Sequence, residues 1–353
     1  MKSISERLKQ PMAGYYNTAQ KVVEIMWNEG DSLVGTSRGS AMGFLSNYLL
    51  GITQIDPIPY VGSMEWRHLS PSRPELPDVD VDSQGFKREQ VILSLKNFFG
   101  HDKVINIATF GTEGTKSALA TAARGLGISD DVAKYLSGLI KNERGFDWSI
   151  RDTAFGNKEK GRAKVGEFYN EITKYEKYLE TALMIEGMVK SRGSHASGVY
   201  IMNHAYTDIN AMMKTQKGLE ITQWDYHDSD EMGALKYDVL SIEALDKIRT
   251  TMDLLLKDGR MEWQGSLRKT YEKYLHPRNL TYGKEMWVPT WNNEVLDVFQ
   301  LDTPVGKESM RKSKPEDVKD AAAINSLMRL MATEDGEMPV DKFAKFKANI
   351  QLW

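Results

Sequence analysis

The 353-residue chain has no cysteine, only 6 histidines, and formal charges that nearly cancel, with 46 Lys and Arg against 49 Asp and Glu for a net of -3. Without cysteine there is no disulfide and no thiolate metal site, so any metal must be held by oxygen or imidazole; a reducing compartment is compatible with this. No run reaches the roughly 18 apolar residues of a membrane-spanning helix, and Met1-Lys2-Ser3-Ile4-Ser5-Glu6-Arg7 leads into polar text rather than a secretory core. A soluble, unexported, cytoplasmic protein with no membrane partner is expected. The balanced charge provides no overall electrostatic footprint for nucleic acid, so a DNA-binding surface would have to be local. Internal repeats and low-complexity tracts are also missing. What is present is a 41% hydrophobic content, enough for a substantial core divided over two or three units.

The densest chemistry lies in Leu76-Pro77-Asp78-Val79-Asp80-Val81-Asp82. Side chains alternate along a strand, so Asp78, Asp80 and Asp82 share one face while Val79 and Val81 take the other. Parallel carboxylates repel, and a hard divalent cation between them relieves that repulsion. An edge strand with a solvated, aggregation-blocking face is the competing reading. The company of the motif favours the metal: a glycine-serine loop, Gly35-Thr36-Ser37-Arg38-Gly39-Ser40, lies upstream, and Ala234-Leu235-Lys236-Tyr237-Asp238-Val239-Leu240 holds an isolated acid in an apolar run. A buried, unpaired Asp238 would be costly, so it needs a metal or a lysine as partner.

Periodicity predicts a helix over 15–28 carrying Val22, Val23, Ile25 and Met26, a short strand at 32–34, and a helix over 41–50 closed by Gly51. A turn at 56–60 precedes the aspartate strand. A helix over 86–99 with Val91, Ile92, Leu95 and Phe98 on one face and a strand over 104–110 follow. From there the pattern becomes helical, at 115–127, 130–140 and a long 165–190. Strands resume at 199–202 and 234–240, and helices at 243–257 and 315–331 complete the reading. The stretch 151–164, with Arg151, Lys158, Lys160, Arg162 and Lys164 against Asp152 and Glu159, is either a phosphate-touching segment or a solvated loop.

In the 35–40 loop the two glycines can turn backbone amides toward one point, and the helix beyond Ser40 adds its positive end; with Arg38 and the Ser40 hydroxyl this makes an anion cradle. A plain tight connection is the alternative, and the spacing is not that of a P-loop. Lys236 and Asp238, two apart on one strand, share a face, so that the acid can reach a metal while the ammonium faces a phosphate oxygen; a simple charge pair is the alternative. Two metal ions about 3.5 to 4 Å apart would suit an in-line displacement at a 3′-hydroxyl. His195, in Arg192-Gly193-Ser194-His195-Ala196-Ser197-Gly198, is set among small residues before a strand and reads as a packed or capping histidine or as a site residue.

Taken in order, these motifs resemble the palm region of bacterial family C replicative DNA polymerases, the alpha subunit of DNA polymerase III and its phage-encoded relatives. The 35–40 loop resembles the family's Gly-Pro-Gly-Arg-Gly-Ser, the stretch 41–57 its helix and Ile-Thr-x-x-Asp-Pro turn, and 77–82 its Pro-Asp-x-Asp-x-Asp strand. Ala108-Thr109-Phe110-Gly111-Thr112 resembles the approach to the thumb, with Arg124-Gly125-Leu126-Gly127 after it. His195-Ala196-Ser197-Gly198-Val199, Thr222-Gln223-Trp224-Asp225 and Lys236-Tyr237-Asp238 are similar to later family motifs, and Val298-Phe299-Gln300-Leu301-Asp302 to the start of the fingers.

The resemblance implies an α+β fold, a Pol β-like nucleotidyltransferase palm with a mixed sheet and helices, an inserted helical thumb and a partial helical fingers segment. The implied division is 1–110 palm, 111–190 thumb, 191–245 second half of the palm and 246–353 start of the fingers. It implies a DNA-directed DNA polymerase using two Mg2+ ions, with Asp78, Asp80 and Asp238 as metal-binding carboxylates, Lys236 assisting beside the phosphates, and Arg38, Gly39 and Ser40 at the incoming nucleotide. Primer-template DNA and dNTP are the implied partners. Thr36 and Ser37 stand where the family has Pro and Gly, and Arg329-Leu330-Met331-Ala332 where it has Arg-Pro-Gly-Pro. Without the family's N-terminal PHP domain, most of the fingers, the clamp-binding segment and the OB-fold, a fragment, a split polymerase awaiting a separate chain, or a divergent phage form is expected. The alternatives are an incomplete polymerase that binds DNA or a partner, and a template-independent nucleotidyltransferase, against which the 111–190 insertion argues.

Overall fold

The computed structural model describes residues 12–60, 62–67, 69–70, 79–143, 145–225, 228, 234–281, 283–330 and 336–349; Asp78 lies outside them. In chain order these residues form α1 (Met12–Asn28), α2 (Leu45–Leu49), β1 (Asp80–Gln84), α3 (Arg88–Phe99) and β2 (Val104–Thr112). Next come α4 (Thr115–Leu126), α5 (Asp130–Gly138), a small hairpin of β3 (Asn142–Glu143) and β4 (Phe146–Asp147), α6 (Ile150–Phe155), α7 (Gly166–Ile172) and α8 (Tyr178–Ile185). The long β5 (Val189–Ile201), β6 (Met212–Lys214), β7 (Glu220–Thr222) and β8 (Lys236–Ile242) follow. The remainder is helical: α9 (Glu243–Lys257), α10 (Leu267–Tyr274), α11 (Val288–Trp291), α12 (Pro304–Ser313), α13 (Val318–Leu327) and α14 (Pro339–Ala348). The protein is mixed α+β, with a six-stranded mixed sheet in the order β1-β8-β5-β2-β7-β6.

Two compact units divide the chain. The first comprises 1–104, 196–204 and 235–353; the second comprises 105–195 and 205–234. In the first, β1 runs parallel to β8, and β8 runs antiparallel to the end of β5, with Gly198 opposite Asp238 and Tyr200 opposite Lys236. Val79, Val81, Tyr237, Val239, Val199 and Ile201 are buried with the apolar stripe of α1 (Tyr15, Ala19, Val22, Met26) and with Val91 and Leu95 of α3. Each large side chain so buried is worth about 1.5–3 kcal/mol against leaving it in water. Sheet alternation therefore leaves Asp80, Asp82, Lys236 and Asp238 on the opposite face.

The second unit has its own core, built from Ala118, Leu119, Ala122 and Ala123 of α4 with Leu136, Ile150, Phe168, Ile172 and Tyr178. The buried Tyr178 hydroxyl donates to the Leu119 carbonyl at 2.9 Å. Arg162 lies between Asp152 (2.6 Å) and Glu143 (2.8 Å), and Lys160 adds a longer contact to Asp152 at 3.6 Å. Two of the basic residues of 151–164 thus hold their own unit together.

Several elements differ from the sequence expectation. The helix expected over 41–50 is a 3-10 turn (Gly39–Gly43) and the short α2, because Phe44 is extended (φ -103°, ψ 113°) and the Asn47 side-chain amide donates to the Ala41 carbonyl. The long helix expected over 165–190 is α7 and α8, interrupted by Lys177 at φ +61°, after which the chain enters β5 ten residues before the expected strand. His195 accordingly lies within that strand. Phe98 is 56% exposed rather than on the buried stripe of α3, with its ring against Phe99 and the Lys21 ammonium 4.8 Å from its centroid. The helix expected to start at 315 begins at Val318, where Asp317 accepts from the Asp320 amide. Among the described residues, α9 is the one element whose two bounds are those expected of it.

Candidate active site

The acids converge through strand register. Asp80 and Asp238 are Cα partners in the parallel β1-β8 pair, so their side chains leave the same face of adjacent strands, which lie about 4.8 Å apart. Asp238 is 6% exposed. Its carboxylate accepts from the Ser197 hydroxyl and pairs with the Lys236 ammonium, both at 2.8 Å. The buried acid thus has a lysine and a hydroxyl for partners, which offset the cost of its burial.

The Arg38 guanidinium reaches toward the other acids. It donates to Asp82 at 3.0 Å, stands 3.9 Å from Asp80, and lies 5.5 Å from the Phe299 ring centroid, within cation-π range. Burial pushes the Asp82 carboxyl above the usual carboxylate range, partly countered by Arg38.

The glycine loop works differently from the sequence reading. The Gly35 amide donates to the Asp82 carbonyl at 2.9 Å, so it is committed to β1. A Cβ at Gly35 would lie 2.7 Å from the Asp82 Cβ, which is why glycine stands there. Gly39 is the residue whose conformation demands glycine, at φ +52° with open space around it. Gln54 holds the loop: its side-chain amide donates to the Val34 and Gly35 carbonyls and its backbone amide to the Thr36 carbonyl.

Two further supports fix the strands. Tyr15 of α1 stacks on Tyr237 at 5.2 Å between centroids, accepts the Val79 amide at its hydroxyl, and receives the Tyr237 hydroxyl at its carbonyl. Burial drives the Tyr237 phenol pKa upward. Asp246 on α9 accepts the Gly85 and Phe86 amides beyond the end of β1.

Of the residues singled out in the sequence, Asp80, Asp238, Lys236 and Arg38 are gathered here by these pairings, with Gly39 and Ser40 following Arg38 in the same loop; His195 belongs to the second unit. Sequence reasoning did not assign Ser197, Asp82, Gln54 or Tyr15 a place in the site. Ser197 lies inside a small-residue motif and Asp82 in the acidic alternation, but the contacts of all four cross 18 to 222 residues of chain and carry no local signal. Among the described residues no group of three or more His, Asp or Glu is arranged to hold a metal ion.

Comparison with known proteins adds a second line of observation. Residues 4–241 match the family model described as bacterial DNA polymerase III alpha NTPase domain, and residues 264–352 match the model for the finger domain of the same subunit. The chain is 50% identical over 355 residues to the Probable DNA polymerase YorL of Bacillus subtilis (strain 168) and, equally, to a DNA-directed DNA polymerase of Bacillus phage SPbeta, in each case covering 99% of this chain and 27% of the relative. It is 31% identical to the DNA polymerase III subunit alpha of Thermus aquaticus, over 93% of this chain and 25% of that protein. The chain therefore spans about a quarter of the length of these relatives.

Proposed function

We propose, since the chain belongs to the bacterial DNA polymerase III alpha family, that it carries the nucleotidyl-transfer centre of a DNA-directed DNA polymerase acting in the cytoplasm on primer-template DNA and dNTP. The observation that carries this reading is Asp80 paired in parallel register with Asp238, beside a loop that presents Arg38, Gly39 and Ser40. We read the sheet and its helices as a Pol β-like palm over 1–110 and 191–245, with a thumb over 111–190 and the start of the fingers over 246–353.

The donor set fits a hard cation. Asp80 and Asp238 supply oxygen ligands from one face, and Arg38 at 3.9 Å and Lys236 at 2.8 Å are the charges that an ion there would displace. Asp80 and Asp238, with Asp78 as the third carboxylate, would hold two Mg2+ ions. Bound there, such ions supply activation of a primer 3′-hydroxyl and neutralisation of the departing pyrophosphate. The chain's own groups do the positioning. Lys236 can turn its ammonium from Asp238 to a phosphate oxygen, Ser197 keeps the Asp238 carboxylate oriented, and the Gly39 turn leaves its amide and the Ser40 hydroxyl at the nucleotide end of the loop.

Primer extension with and without template, each with and without Mg2+, tests the proposal. Templated, Mg2+-dependent addition is expected. Addition that ignores the template would instead assign a template-independent transferase, and no addition by a chain that melts cooperatively would leave a DNA- or partner-binding module.

A further inference from the structure

We propose that Arg38 is a built-in competitor for the cation position at Asp80 and that Asp82 is a positioning residue that draws it aside. The inference rests on the reading of Asp80 as a cation ligand and concerns how that position is kept available. The guanidinium has two carboxylates within reach on alternate residues of β1, and it lies closer to Asp82 (3.0 Å) than to Asp80 (3.9 Å). All three side chains are partly shielded, 25% exposed for Arg38, 17% for Asp82 and 30% for Asp80, so their attractions are not screened away as they would be in open water.

The geometry dictates a division of labour. A positive group at 3.9 Å disfavours a divalent ion on the same carboxylate, by repulsion and by occupying the approach. Asp82 sits on the same strand face, and its backbone is locked to the loop by the Gly35 amide, so its carboxylate is a fixed resting place for Arg38. The Phe299 ring, its centroid 5.5 Å from the guanidinium carbon, adds a cation-π attraction that helps hold it. Ion binding at Asp80 would then complete the transfer of Arg38 onto Asp82 or release it toward an incoming phosphate, a group whose geometry a guanidinium matches.

This arrangement predicts substitutions of opposite sign. Arg38→Gln removes the competitor and should tighten Mn2+ binding by about tenfold, equivalent to about 1.4 kcal/mol. Asp82→Asn deprives the guanidinium of its nearer acid, lets it settle on Asp80, and should weaken Mn2+ binding several-fold. The double variant should match Arg38→Gln, because without the arginine Asp82 has nothing to draw aside.

The experiment is calorimetric titration of MnCl2 into the full chain and each variant without nucleotide, with circular dichroism melts as the folding control. If Asp82→Asn weakens binding equally in the Arg38→Gln background, Asp82 is itself a ligand and the proposal is overturned. Binding that depends on Asp80 but ignores Arg38→Gln also overturns it while leaving the polymerase reading in place. Binding untouched by Asp80→Asn sinks that reading and this proposal with it.

Discussion

Tyr15 and Tyr237, 222 residues apart, stack nearly parallel, with 5.2 Å between their rings and 14° between their planes, and exchange contacts through which helix α1 fixes the strand that carries Lys236 and Asp238. The Tyr15 hydroxyl also accepts the Val79 amide, so one residue sets the beginning of β1 and the beginning of β8 together. The register that places Asp80 opposite Asp238 is supported from below by this pair.

Tyr15→Phe therefore leaves the buried Val79 amide without its acceptor and should cost about 1–3 kcal/mol. Tyr237→Phe keeps the stack and loses a hydroxyl that bonds the Tyr15 carbonyl and Thr18, so its cost should be about 1 kcal/mol. Urea unfolding of the two variants should rank them in that order, and equal midpoints would refute the assigned role of Tyr15.

Asp80→Asn should abolish nucleotide addition while leaving the fold intact, because the side chain is on the open face of β1 and contributes no core volume. Primer extension alongside a melting curve checks both halves of that statement. Retained addition would remove Asp80 from the proposed centre.

The two glycines of the loop should respond differently to alanine. At Gly35 the new methyl would meet the Asp82 Cβ at 2.7 Å, forcing β1 and the loop apart at a cost of about 1–3 kcal/mol and lowering nucleotide addition. At Gly39 nothing lies within 4 Å, and the cost is the left-handed backbone alone, about 1 kcal/mol. Thermal denaturation should show the larger loss for Gly35→Ala.

Arg162→Met should loosen the second unit, since it takes away the nearest cation of the buried Asp152 carboxylate and leaves it only the Asn157 amide and the more distant Lys160. Burial pushes Asp152 upward, but bonds from Asn157 and Arg162 and the charges of Lys160 and Arg162 outweigh it and hold the carboxyl below its usual range. A depressed acid contributes stability that is complete above its unfolded pKa of about 4 and is lost as the pH falls through the lower folded value. Hydrogen-exchange protection over 142–165, taken relative to the intrinsic rate at each pH, should therefore fall below about pH 4 in the parent and depend less on pH in the variant.

The pattern of apolar residues made some elements legible and left others hidden. Helix α9 was readable to its ends because Leu245 and Met252 recur at helical spacing and the acids and lysine at its termini suit the helix dipole. The 165–190 region looked equally helical, yet its first residues of β5 are exposed and gain their order by pairing in the sheet, an interaction that no local window contains. The short glycine loop was recognisable as a motif, while the partner that makes Gly35 obligatory was not.

From its order of residues alone this protein declared which side chains share a strand face, that the acids at 80 and 238 needed cationic partners, and which family its motifs resemble, because alternation and motif order are local properties of the chain. Only the tertiary structure decided that Asp80 stands opposite Asp238 and not one residue away, that Arg38 rests nearer Asp82 than Asp80, and that Ser197 completes the acid's surroundings. Those relations depend on parallel strand register and on contacts spanning 41 to 158 residues, and such register is set by core packing on the far face of the sheet, not by any neighbour in sequence.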